Sequence, residues 1–125
     1  MAAVAQIFAV AAGLFHVMAF ILESVVFHRP GVQRFLLGRT EKSPAVRLWA
    51  FNQGFYNLFL GVGAIIGAIL WMSGAETPGR TLVIYTATFM ALCGVVLFVS
   101  DRTLWRGMIG QATPPLVALA AALAA

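Results

Sequence analysis

The sequence has 125 residues, of which 62% are hydrophobic and 10% are charged, and its mean hydropathy is +0.94. Soluble domains carry about 25% charged residues, so this composition excludes an ordinary soluble fold and predicts one integral membrane domain over residues 1–125. The net charge of +4 does not indicate nucleic-acid binding, because the basic residues flank apolar segments, where they would meet the headgroups of a lipid bilayer.

Four apolar segments have about the 20 residues that a membrane-spanning helix requires. They lie at 3–27, 45–72, 79–100 and 104–124. The first lacks the basic n-region of a signal peptide and is longer than the apolar core of one, so we expect a retained helix. The expected fold is therefore an all-α, antiparallel bundle of four transmembrane helices.

The second and third segments carry signals at their ends. Ser43-Pro44 and Thr77-Pro78 each combine a hydroxyl side chain, suited to an N-cap, with a proline, suited to the first helical position. Trp49 and Trp71 lie near the two ends of the second segment, and we expect them at the two membrane interfaces.

The fourth segment is interrupted by Thr113-Pro114-Pro115. Neither proline can donate a hydrogen bond to the carbonyl groups of Gly110 and Gln111, one turn earlier. We therefore expect a fourth helix that begins near Leu104 and is kinked or broken near Pro114-Pro115. The alternative is a short interfacial helix at 102–112 followed by a half-span.

The basic residues predict an orientation. Seven of the eight lysine and arginine residues lie in or beside the loops at 28–46 and 101–106, and the eighth is Arg80. The positive-inside rule predicts that these two loops are cytoplasmic and that both termini lie outside, on the periplasmic face of a bacterial inner membrane. Apolar residues alternate with arginines over 32–39, which suits a short interfacial turn or helix on anionic lipid.

The first two segments contain polar side chains that their composition does not predict. His16 and Glu23 are seven residues apart and share one face of the first helix. The second helix carries a polar hexad, residues 52–57, with the sequence Asn52-Gln53-Gly54-Phe55-Tyr56-Asn57. Polar groups inside a membrane are costly, so these side chains are candidates for a functional site.

An antiparallel hairpin would bring these groups to matched depths. Counting about 1.5 Å per residue from each helix end puts Glu23 level with the first two residues of the hexad. The same count puts His16 level with its last two residues. The ligand-binding candidates are therefore Asn52, Gln53, Tyr56 and Asn57, together with Gln111 at a comparable depth on the fourth helix.

Two interpretations of this cluster stay open. The amides and the tyrosine can hydrogen-bond across helices and stabilise the bundle. The carboxylate favours a functional pocket, with Glu23 and His16 as a candidate acid–base pair. Gly63-Ala64-Ile65-Ile66-Gly67 matches the GxxxG pattern of close helix packing, either within the bundle or in a homo-oligomer through Gly63 and Gly67.

The motifs of common catalytic and cofactor sites are absent from the sequence, which contains no HExxH, GxSxG, Walker or dinucleotide-binding pattern. Two histidines and one cysteine, Cys93, are too few for a disulfide or for a protein-only catalytic zinc site. No cofactor and no metal site are predicted.

His16-x6-Glu23, the polar hexad and Gln111-x-x-Pro114 together resemble the DUF1304 family of small bacterial membrane proteins. The resemblance covers nearly the whole chain, and the hexad is its most specific part. It implies a four-helix membrane protein of about this length and no particular activity. Phe27 stands where the family often has tryptophan, and Pro115 stands where it often has alanine.

The leading hypothesis is an inner-membrane protein whose buried polar pocket binds a small amphiphilic or lipid-like ligand, with acid–base chemistry at Glu23 and His16 as an open extension. The alternatives are a proton-coupled small transporter that acts as an oligomer and an accessory or structural membrane subunit. The sequence does not decide whether the protein is an enzyme.

Overall fold

The computed structural model describes all 125 residues and contains helices but no strand. Five α-helices follow one another along the chain, with a π-helical turn continuing the first and a 3-10 turn preceding the last. They are α1 (Ala2–Phe20) with its π-helical turn (Ile21–Val25), α2 (Pro30–Leu37), α3 (Pro44–Met72), α4 (Glu76–Ser100), the 3-10 turn (Arg102–Leu104) and α5 (Trp105–Leu123). The predicted all-α class is confirmed.

Three of these helices are long and apolar enough to cross a membrane: α1 with its π-helical turn, α3 and α4. This indicates a membrane protein. α5 is not among the three, because Arg106, Gln111, the glycines and the two prolines make it less apolar. Three of the four expected spans are therefore long and apolar enough to cross a membrane, and a crossing by α5 stays a prediction.

The long helices pack in a cyclic order. α1 packs against α3 and α5, α4 packs against the same two helices, and α1 and α4 barely touch each other. Their interior consists mostly of small residues, such as Ala5, Ala9 and Ala12 on α1. Small side chains let backbones approach closely, which is how helices associate where lipid supplies no hydrophobic driving force.

The glycines of α3 have separate neighbours. A Cβ added to Gly61 would lie 2.6 Å from the carbonyl oxygen of Gly13 on α1, and one added to Gly67 would lie 2.8 Å from Cβ of Leu82 on α4. Gly63 also faces α4, with Thr86 nearby. The GxxxG pattern therefore packs within the chain, which was one of its two interpretations.

The fourth helix is expected to be kinked or broken near Pro114-Pro115, and the structure excludes the break. α5 runs unbroken through both prolines, so a helix at 102–112 followed by a separate half-span is wrong, whereas a kink stays a prediction. The prolines remove two hydrogen-bond donors, but Ala112, Pro115 and Ala118 are all buried against neighbouring helices. Prolines are tolerated in membrane helices where neighbouring helices pack around them, as they do here.

The structure also describes the residues expected at the helix ends. Trp49 is 76% exposed, whereas Trp71 is only 7% exposed and belongs to the core, and their place at the two membrane interfaces stays a prediction. Trp71 is buried because Gly79 lets the start of α4 lie directly against its backbone. Ser43 is the N-cap residue of α3 but makes no side-chain cap, and Thr77-Pro78 lies inside the first turn of α4.

Candidate functional site

The first helix continues into a π-helical turn that carries Glu23, the only carboxylate within residues 2–25. The backbone N–H of Val26 donates to the carbonyl oxygen of Ile21 at 3.0 Å, five residues earlier. Such turns are rare in proteins, and those that occur often lie at functional sites. Here the turn carries two adjacent residues, Glu23 and Ser24, and both of them contact α3.

Glu23 is bonded to the polar hexad. The Asn57 side chain donates from Nδ2 to Oε2 of Glu23 at 2.7 Å, and both residues are half-buried. Oε1 of Glu23 has no partner within the chain. Asn57 lies about one turn further along α3 than Asn52 and Gln53, the residues expected to be level with Glu23.

Ser24 fixes the packing of the two helices beside this bond. Its hydroxyl donates to the carbonyl oxygen of Phe51 at 2.7 Å. A Cβ added to Gly54 would collide with the Ser24 hydroxyl, so the glycine makes room for the serine. Gly54 thus lets the two helices approach closely, while Ser24 was missed because a lone serine in an apolar run gives no signal.

His16 lies deeper in the protein, apart from the carboxylate. Its side chain is 1% exposed, and Nδ1–H donates to the carbonyl oxygen of Ala12 at 2.9 Å. The ring packs edge-on to Phe15, and its Cβ adjoins Gly61. No hydrogen bond joins it to Glu23 or the hexad, and seven residues of helix separate the two groups by about 10 Å.

The other predicted ligand-binding residues lie away from Glu23. Asn52, Gln53 and Tyr56 are exposed, and Asn52 donates only to the carbonyl oxygen of Leu48 on its own helix. Gln111 is half-buried on α5, which is not a neighbour of α3. Of the predicted set, the structure therefore brings together Glu23 and Asn57 alone.

The rotation of α3 explains this separation. Gly54 and Gly61 are seven residues apart and face α1. At about 100° per residue, Asn52 and Tyr56 lie about 160–200° around the helix from Gly54, whereas Asn57 lies about 60° from it. The glycines select the face that meets α1, so only Asn57 remains close to it.

An open cavity of about 180 Å³ adjoins Glu23 at the end of α1 and α3. It lies between the π-helical turn, the connection that follows it and the first turns of α3. Its lining consists of Glu23, Ser24, Val25, Phe27, His28, Arg47 and Phe51. One carboxylate, one imidazole and one guanidinium group thus share a single small space.

None of these three groups is in an ion pair. The one salt bridge of the chain joins Arg39 to Glu41 at 3.5 Å, in the loop before α3. His28 and Arg47 were not predicted as site residues, because both lie at helix ends where basic residues usually meet lipid headgroups. Both side chains line the cavity beside Glu23 because of how the hairpin between α1 and α3 folds.

A row of aromatic side chains leads away from the cavity. Phe51, Phe55 and Phe59 follow one another at intervals of four residues on α3, with ring centroids 5.1 and 6.1 Å apart. Phe20 of α1 packs edge-on to Phe55 at 5.0 Å. We call Phe51, Phe55 and Phe59 the phenylalanine row. Phe51 belongs both to this row and to the cavity lining.

The arrangement is suited to binding a polar group at one end and an apolar group along the row. A carboxylate accepts hydrogen bonds, and a guanidinium group donates several in a fixed fork. No cluster of three or more His, Cys, Asp or Glu residues could hold a metal ion.

Comparison with known protein families agrees with the pattern in the sequence. The family described as "Protein of unknown function (DUF1304)" matches residues 10–123. The chain belongs to the DUF1304 family. The match extends from α1 to the end of α5 and confirms the resemblance seen in the sequence. No curated protein and no solved structure matches this DUF1304 protein.

Proposed function

We propose that this DUF1304 protein binds one amphiphile, with its polar head in the cavity beside Glu23 and its apolar chain along the phenylalanine row. One observation carries the proposal. Glu23 and Arg47 line the same cavity, and neither forms a salt bridge within the chain. Groups of opposite charge that do not pair with each other are suited to a ligand that carries both charges.

The head group that fits best is zwitterionic, with an amine and a phosphate. Asn57 already holds one oxygen of Glu23, which leaves the other oxygen to accept from an ammonium group. The Arg47 guanidinium can donate to phosphate in a bidentate manner, as arginine commonly does. His28 can add a further donor to the same phosphate.

The apolar part of the ligand would follow the phenylalanine row. Phe51 and Phe59 are 49% and 68% exposed, so their rings are available to an acyl chain. In the proposed topology the cavity lies at the cytoplasmic face, close to the basic loop before α3. A lipid could then enter sideways from the bilayer without leaving it.

Two further interpretations of the site have weaker support. An accessory subunit would cap Glu23 completely, whereas here Glu23 keeps a free oxygen and adjoins a cavity. Acid–base catalysis by Glu23 with His16 would need a relay across about 10 Å of helix, and His16 already donates to Ala12. We therefore propose ligand binding without a catalytic role for His16.

The proposal is tested by titrating fluorescent phosphatidylethanolamine into the purified protein in detergent micelles. Glu23→Gln and Arg47→Gln should each weaken binding about tenfold, since one charge-assisted hydrogen bond contributes about 1.5–3 kcal/mol and 1.4 kcal/mol is a factor of ten. Unlabelled phosphatidylethanolamine should compete better than an anionic phospholipid or diacylglycerol of the same chain length.

Arg34→Gln is the matched control for the loss of one positive charge. Arg34 is exposed on α2, outside the cavity lining, so its replacement should leave binding unchanged. Equal weakening by Arg34→Gln and Arg47→Gln would mean that the lipid responds to overall charge and not to the cavity. Unchanged binding in both Glu23→Gln and Arg47→Gln would overturn the proposed site.

A further inference from the structure

The outward side of α3 carries three polar side chains, Asn52, Gln53 and Tyr56, which we call the outer polar face. All three are exposed, Tyr56 to 72%. Asn52 uses its amide N–H for a bond to Leu48 of its own helix, while Gln53 and Tyr56 form no side-chain hydrogen bond within the chain. The face therefore carries unused donors and acceptors.

This face lies below the membrane surface if α3 spans the bilayer. With 29 residues, α3 is about 43 Å long and exceeds the hydrocarbon thickness of about 30 Å. Trp49, 76% exposed, marks the interfacial level. Asn52 and Gln53 lie about 4–6 Å and Tyr56 about 10 Å deeper than this level, where amide and hydroxyl groups without partners are costly.

No other part of the chain covers the face. α1 occupies the side of α3 that carries Gly54 and Gly61, and α4 meets α3 near Gly63 and Gly67, towards the opposite end. The GxxxG segment is thus already used within the chain. An interface between chains would need a different surface of α3.

We propose that a second copy of this chain covers the outer polar face, in a parallel twofold dimer with α3 against α3. Copies in one membrane share their orientation, so a twofold axis along the membrane normal brings each residue near its own equivalent. Amide and phenol groups both donate and accept, so each can pair with its own copy. A face of like charges would repel its equivalent, and this face carries none.

The first test is disulfide cross-linking in native membranes, in a Cys93→Ala background. Gln53→Cys and Tyr56→Cys should each form a covalent dimer on mild oxidation. The control is Leu92→Cys on α4, because Leu92 is also exposed, at 61%, and is a similar number of residues from the same end of the protein. It should stay largely monomeric.

Three outcomes would overturn the proposal. Equal cross-linking of Leu92→Cys would reveal random collision, and absence of cross-links at positions 53 and 56 would leave the face to lipid. A cross-link to a different protein would assign the face to another partner.

A second measurement does not depend on new cysteines. Subunit counting by photobleaching in dilute nanodiscs should find two copies of the wild-type protein. The double variant Gln53→Leu with Tyr56→Phe keeps the size of both side chains while removing their hydrogen-bonding groups. It should shift most particles to one copy, and a persistent dimer in this variant would contradict pairing through these groups.

Discussion

Gly61 sets the distance between α1 and α3 more than any polar residue does. A Cβ at this position would lie 2.6 Å from the carbonyl oxygen of Gly13 and 3.1 Å from Cβ of His16. A backbone carbonyl cannot turn aside as a side chain can. We therefore expect Gly61→Ala to push the helices apart and to destabilise the protein by about 1–3 kcal/mol, the usual cost of overpacking. Thermal unfolding in detergent, measured as Tm, checks this.

Gly63→Ala is the control for Gly61→Ala, because it makes the same substitution two residues away on α3. The nearest group to an added Cβ there is Cγ2 of Thr86 at 3.6 Å, which is an ordinary contact. Because alanine also favours helix over glycine by roughly 0.5–1 kcal/mol, Tm should stay the same or rise slightly. Equal loss of stability in Gly61→Ala and Gly63→Ala would contradict the tight contact at Gly61.

These glycines also explain which features of the site could be predicted from the sequence. His16, Glu23 and the hexad were recognisable because polar groups are unusual in apolar helices. Their depths were approximately predictable from the rise of a helix. The rotation of α3 about its own axis was not predictable, because either its amides or its glycines could face α1. In this protein the close packing of Gly54 and Gly61 turns the glycines towards α1.

At the scale of elements, the first and last residues of the helices were more predictable than their internal hydrogen-bonding pattern. Apolar runs and the prolines at their starts fixed α3 and α4 to within a few residues. The π-helical turn at Ile21–Val25 has no comparable signal, because its bonding pattern depends on how Glu23 and Ser24 meet α3. The continuity of α5 through two prolines likewise depends on packing against α1 and α4.

The loop between α2 and α3 is ordered by two side chains that the sequence did not single out. Gly38 ends α2 in the left-handed conformation, with φ at +72°. Buried Gln33 accepts the backbone N–H of Glu41 at 2.8 Å, and the Glu41 carboxylate accepts those of Ser43 and Lys42 at 2.8 and 2.9 Å. These bonds position the start of α3, where Arg47 lines the cavity.

This loop should respond to pH. The backbone hydrogen bond from Ser43, aided by that from Lys42 and by the charges of Arg39 and Arg47, lowers the pKa of Glu41 below its ordinary value of 4.5. A group whose pKa is lowered by folding stabilises the fold above its ordinary pKa and loses this effect as the pH falls through the lowered value. The loop should therefore keep its structure at pH 5 and loosen only below 4.5.

The amide NMR shifts of Lys42 and Ser43 in micelles measure this transition. Both should titrate together, with a midpoint below 4.5. In Glu41→Gln the same shifts should be flat across this range, since the amide side chain has no charge to lose. A midpoint above 4.5 in the wild-type protein would show that the carboxylate does not hold the two backbone N–H groups.

At the scale of the whole molecule, the packing of α5 bears on the number of membrane crossings. Ala118 and Ala121 belong to the same core cluster as Ala5 and Ala9 near the start of α1. At the other end, Gly110 of α5 adjoins the ring of Phe15. α5 is therefore antiparallel to α1 and runs alongside it, from the end with the basic loops to the end with the N-terminus.

We accordingly expect α5 to cross the membrane despite its lower hydropathy, because α1 and α4 cover the face that carries its backbone defects. In a Cys93→Ala background, a membrane-impermeant maleimide applied from outside should label Ser73→Cys and Ala125→Cys. It should not reach Thr40→Cys or Thr103→Cys until the membrane is permeabilised. If Ala125→Cys behaved like Thr103→Cys, α5 would lie on one side of the bilayer and the protein would cross it three times.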